Sequence, residues 1–200
     1  MPRSRQIMFL CVLLIILGAC DAIPREAGIV VKPDEVAVIY AEETGALEDT
    51  LYEGTYALEP QQGVTFYPLF WQVYTFRDEY TLSERALGDE AIEAYTLDEA
   101  KMRVSLTLVF RLNADEIDVI FDSWGHSDYR VGYVRPTTRR VVRAIIQSYT
   151  ANDLSTLPLS SLQIQIEEAL RNEFEANGFL LQRVDVGELR TVTPIATLEP

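Results

Sequence analysis

Metal ligands are scarce in this sequence: one histidine, His126, and two cysteines, Cys11 and Cys20, among 200 residues. These are too few nitrogen and sulfur donors for a zinc site, and both cysteines fall in the first twenty residues, leaving no disulfide framework for the folded part. Cations are also scarce. Against 31 Asp and Glu stand 17 Lys and Arg, a formal net charge of −14 with a pI near 4.4. A nucleic-acid binder needs cations to displace phosphate counterions, so nucleic acid is excluded as a partner. The sequence lacks a G-x-S-x-G elbow, a G-x-x-x-x-G-K-[ST] phosphate loop and a D-x-[DN]-x-[DN]-G calcium loop. The expectation is therefore a protein without a cofactor or metal, and not an enzyme. Apolar residues are plentiful: at 48% of the chain they suffice for one domain with a core.

The N-terminus reads as an address. Arg3 and Arg5 precede an unbroken apolar run from Ile7 to Leu17, then Gly18, Ala19 and Cys20, the order of an export signal. The run is shorter than the roughly 20 residues a spanning helix needs. Leu17-Gly18-Ala19-Cys20 resembles the bacterial lipobox, which implies a diacylglyceryl group on Cys20 and cleavage before it. An uncleaved anchor helix is the alternative. Several acyl chains on Cys20 would hold the protein to a membrane persistently, since each buried methylene contributes about 0.8 kcal/mol. The expected placement is the outer, extracytoplasmic face of the cell membrane. Asp21 resembles the signal that keeps some lipoproteins of double-membraned bacteria on the inner membrane.

The rest reads as an α+β chain, strands first and helices later. Glu35 to Ala41 is β-rich with little polar character on either face, as in a central strand. Thr44-Gly45 turns the chain. Leu51 to Leu58 alternates as one strand that Pro60 and Gly63 close, before an aromatic run from Phe66 to Phe76. Ile92–Leu97 and Met102–Leu112 suggest a hairpin around Asp98, Glu99 and Ala100, with Val104, Leu106, Leu108 and Phe110 on one face. The period then becomes helical. Ile117, Ile120, Phe121 and Trp124 mark a first helix that Gly125 can end, with Ser127 or Asp128 capping the next. A second, over 137–149, has Pro136 in its first turn. A third, capped by Ser160 or Ser161 and ended by Gly178, carries Leu162, Ile166, Leu170 and Phe174 every fourth residue. Phe179 to Leu189 alternates as a closing strand.

Six segments in this order resemble the SPFH or Band 7 domain of prohibitins, stomatins and flotillins: VAVIYAEETGAL, LYEGTYALEP, FYPLFWQVYTF, VSLTLVFRL, YRVGYVRPTTRRVVRAIIQSYTANDL and LRNEFEANGFLLQRVDVGEL. The resemblance gives a layout: 1–20 lipoprotein signal with lipobox, 21–28 linker, 29–190 prohibitin-like domain, 191–200 flexible tail. It implies a membrane-tethered scaffold that self-associates or organises membrane protein partners; the alternative is an accessory adaptor or inhibitor of a membrane protease complex. Family members usually continue into a long Ala/Glu-rich coiled coil, which is not found in residues 191–200, so ring assembly of that kind is not expected.

Four constellations are candidates for more than packing. Ser123, His126, Ser127 and Asp128 are residue types of a nucleophilic triad, but triads converge from distant segments, and a cap-and-turn role fits better. Paired carboxylates at Asp34-Glu35, Glu42-Glu43, Asp89-Glu90 and Asp115-Glu116 suit helix first turns and solvated edges. Arg130, Arg135, Arg139, Arg140 and Arg143 form either an ordinary solvated helix face or a cationic contact for an acidic subunit or lipid headgroups. Phe66, Tyr67, Phe70, Trp71, Tyr74 and Phe76 fill a sheet interior or form an aromatic patch at the membrane surface.

Overall fold

The computed structural model describes residues 27–78, 88–125 and 127–192. Cys20, the signal, His126 and residues 193–200 of the expected tail lie outside the described residues. In chain order come β1 (Ala27–Val31), β2 (Glu35–Ala41), β3 (Leu47–Leu51), β4 (Gly54–Leu58), β5 (Gln62–Pro68), β6 (Gln72–Arg77), β7 (Gly88–Glu90), β8 (Ile92–Tyr95) and β9 (Lys101–Leu112). They are followed by α1 (Ile117–Trp124), a π-helical turn (Arg130–Val134), α2 (Arg135–Gln147), α3 (Ala151–Thr156), α4 (Leu159–Glu175) and β10 (Phe179–Thr191). The α+β order expected from the sequence holds, with one helix more than the three expected.

Three sheets are formed. β1 pairs with β4, β2 lies between β3 and β5, and β9 lies between β10 on one side and β6 and β8 on the other, with β7 parallel to β6. The apolar β2 is indeed central in its sheet, as two-sided burial of Val36 to Ile39 requires. Leu51 to Leu58 is not one strand. The chain breaks at Tyr52 and Glu53, so that β3 pairs with β2 while β4 pairs with β1. Gly63 does not close a strand but sits within β5 opposite Tyr40, whose ring occupies the space a Cβ would take. The turn before it falls on Glu59 to Gln61, where Gln61 has φ +76°.

The core follows the two periodicities. Val104, Leu106, Leu108 and Phe110 turn one face of β9 inward, and Leu162, Ile166, Leu170 and Phe174 turn one stripe of α4 onto it. Phe110 meets Phe174 edge-on with centroids 5.9 Å apart, and Phe179, first residue of β10, stacks on Tyr133 at 4.8 Å. Gly178 precedes it at φ +81°, and a side chain there would also press on Ile120. Contrary to expectation, Ser160 and Ser161 lie inside α4, whose N-cap is Pro158. The short α3 is the helix beyond those expected, and Thr150 and Asp153 form a reciprocal capping box at its start. Asp98 ties the β8–β9 turn to that helix, accepting from Thr96 Oγ1 at 2.6 Å and from Ala151 N at 2.9 Å.

Phe174→Ala removes the ring shared by α4, β9 and β10 and is expected to lower stability by about 3–5 kcal/mol, read from urea midpoints.

Candidate functional site

The arginine row resolves into separate partners. α2 follows the π-helical turn without a break, with Pro136 in its first turn, where no N–H is needed. Its buried stripe of Val141, Val142 and Ile146 faces the core, and Arg135, Arg139 and Arg143 line the side against β7 and β8. Asp89 is buried and takes both Arg135 and Arg139, the latter at 2.9 Å. Arg139 also donates to the Glu90 carbonyl, and Arg143 Nε donates to the Glu93 carbonyl at 2.9 Å. Arg140 pairs with Glu173 at 2.7 Å and is more exposed than Arg139. The row thus holds strands to helices, and Asp89 is a buried ion partner rather than part of a solvated edge. The other paired carboxylates fit the expectation better: Asp115 and Glu116 lie in the turn entering α1, Glu42 and Glu43 in the β2–β3 connection.

The Ser123–Asp128 neighbourhood behaves as a helix end. Gly125 terminates α1, and Asp128 accepts from the Arg130 backbone N–H at 3.0 Å while its carboxylate is forked by the Arg130 side chain at 2.8 and 2.9 Å. Burial disfavours the charged Asp128 carboxylate, but these bonds outweigh it and hold the group below the usual carboxylate range. His126 lies outside the described residues. Among the described residues, no group of three His, Cys, Asp or Glu is placed to hold a metal ion.

The aromatic run divides. Tyr67, Tyr74 and Phe76 are buried in the core, whereas Phe66, Phe70, Trp71 and Val73 are exposed. A groove of about 580 Å³ opens between the β5–β6 connection and the start of the π-helical turn, lined by Phe66, Phe70, Trp71 and Val73 on one side and Asp128 and Arg130 on the other. Its inner wall is polar but largely paired. Tyr67 donates to the Gly125 carbonyl at 2.5 Å, and Tyr129 donates to Gln72 Oε1 at 2.9 Å, while Gln72 Nε2 is buried with no acceptor. Burial, with Tyr129 adding to it, pushes the Tyr67 hydroxyl to about 12. Burial, with Glu173 adding to it, does the same to Tyr133. Simple alternation did not separate these aromatics, because the chain leaves the strand at Leu69 to Trp71, where Leu69 N–H bonds the Asp34 carbonyl.

The SPFH domain / Band 7 family model matches residues 29–195, most of the chain. This protein belongs to the SPFH domain / Band 7 family. No curated protein matches the chain. Band 7 domains generally associate with membranes, form oligomers and act as scaffolds rather than enzymes. No helix among the described residues of this Band 7 domain is long and apolar enough to cross a membrane.

Removing the Asp89 carboxylate leaves two guanidinium groups without their shared acceptor. Asp89→Ala is expected to lower stability by about 2–3 kcal/mol, against less than about 1 kcal/mol for Glu173→Ala at the exposed pair, both measured by urea unfolding.

The raised phenols set an alkaline limit. Below pH 10, the ordinary phenol value, Tyr67 and Tyr133 are protonated whether the chain is folded or not; between pH 10 and about 12 the unfolded chain ionises first, so stability falls as pH rises. Unfolding free energies at pH 9 and pH 11.5 should converge in the Tyr67→Phe, Tyr133→Phe double variant relative to the parent.

Proposed function

We propose that this protein is a membrane-tethered, prohibitin-like scaffold lipoprotein, anchored through a lipidated Cys20 on the extracytoplasmic face of a bacterial cell membrane. There it self-associates and gathers membrane protein partners. The observation that carries the reading is the order of two features in one chain. The lipobox-like Leu17-Gly18-Ala19-Cys20 stands just ahead of a Band 7 match that begins at residue 29. In this arrangement a lipid takes the place of the hydrophobic hairpin or spanning helix by which such domains hold their membrane. The arginines of α2 are held within the domain, Arg135 and Arg139 by the buried Asp89 and Arg140 by Glu173, and the exposed Phe66, Phe70, Trp71 and Val73 are the surface offered to partners in this reading. Its acidity, a net −14 over the chain, gives no overall attraction to anionic lipid, which makes a covalent anchor the more necessary.

Cys20→Ser is expected to move the protein from the membrane fraction to the soluble exported fraction, and mass spectrometry of the parent should find an acylated N-terminal cysteine. An unmodified terminus on freely washed protein would overturn the reading. Crosslinking in intact membranes then reports the partner: predominant self-contacts fit the scaffold, whereas a recurrent protease subunit would replace it with an adaptor or inhibitor of a protease complex.

A further inference from the structure

We infer that Phe66, Phe70, Trp71 and Val73, together with Arg111, form a second membrane contact that rests in the headgroup–acyl boundary of the bilayer. This rests on the tethered reading and adds to it which surface faces the lipid.

The four apolar side chains are 42, 54, 41 and 50% exposed, side by side along one rim of the groove between the β5–β6 connection and the π-helical turn. Phenylalanine and tryptophan exposed together are unusual on a surface that meets only water, and tryptophan is favoured at the headgroup level because its ring is apolar and its indole N–H polar. A cation accompanies them. The Arg111 guanidinium lies 4.8 Å over the Trp71 ring, and among the described residues it has no carboxylate partner. Its Nε is buried with no acceptor. A guanidinium stacked on an indole keeps its N–H edge available for a phosphate oxygen.

Charge selects this surface over its surroundings. No Lys or Arg occurs from Pro33 to Phe76, where Asp34, Glu35, Glu42, Glu43, Glu48, Asp49, Glu53 and Glu59 make the first part of the domain repel phosphate. Around the groove the balance differs: Asp128 is forked by Arg130, and Arg111, over the Trp71 ring, has no carboxylate partner among the described residues. Distance permits the contact. The seven peptide steps from Cys20 to Ala27 reach at most about 25 Å, so a lipid on Cys20 holds β1 near the bilayer, and β1 touches β2, the neighbour of the β5 strand that carries Phe66. A lipid surface satisfies both the apolar rim and the unmatched guanidinium.

Tryptophan emission tests this directly, because the chain has two tryptophans, Trp71 and Trp124. The full chain is reconstituted in phosphatidylcholine vesicles containing phosphatidylcholine brominated near the headgroup, and its emission is compared with that of Trp71→Phe. Loss of about half or more of the Trp71 share of emission is expected, with the Trp124 signal of Trp71→Phe little changed. Equal quenching of the two tryptophans would overturn the inference. So would shielding of Trp71 that follows protein concentration without lipid, the mark of a second copy on the patch. Flotation separates this inference from the tether: protein that floats with unquenched Trp71 defeats the patch alone. Protein that fails to float defeats the tether, and quenching of Cys20→Ser at high vesicle concentration then still decides the patch.

Discussion

The packing of Phe179 against its aromatic neighbours is the constraint on which the rest of the domain depends. Its ring stacks on Tyr133 and lies within 5.9 Å of Phe174, Tyr129 and Trp124, so one side chain joins the start of β10 to α4, to the π-helical turn and to the end of α1. Aromatic pairs of this kind add about 0.5–1.5 kcal/mol each beyond the area they bury. Because Gly178 turns the chain immediately before it, β10 sets out antiparallel to β9 and can pair along nearly its whole length. Two interruptions in that register, at Leu181/Arg183 and Val186/Glu188, let the long pair stay matched while the sheet twists.

Electrostatics plays a different part from the one that net charge suggests. The chain is strongly acidic, yet Arg140 of α2 pairs with Glu173 of α4, and Arg135, Arg139 and Arg143 reach β7 and β8, where a buried Asp89 and two strand carbonyls receive them. Such a pair fixes the position of β7 and β8 relative to α2 more than it adds stability, since desolvating the ions offsets much of their attraction. What remains at the surface is acidic along the first sheet and apolar at the groove.

Much of the fold was legible because burial imposes periodicity. The stripe Leu162, Ile166, Leu170, Phe174 and the alternation Val104 to Phe110 each have one solution that buries them, and both are buried. Break points were less legible. Tyr52 and Glu53 separate strands of two different sheets with no proline or glycine between them, and Gly63 signals a turn although its role is to make room for Tyr40. Thr150 and Asp153 did carry a helix signal, in a helix only six residues long. Of the site residues, the aromatic run could be found in the sequence but not divided, because alternation holds only while the chain remains in a strand.

The sequence by itself determined the class of the domain, its family and the placing of its apolar faces, since these depend on the spacing of residues along the chain. Only the tertiary structure decided which arginines are engaged and which aromatics are left exposed. Asp89 meets Arg135 and Arg139 across some fifty residues, and Arg111 reaches Trp71 from a neighbouring strand. The physical reason is that pairing and exposure are properties of surfaces brought together by folding, and local periodicity carries no information about which distant segment arrives to cover a side chain.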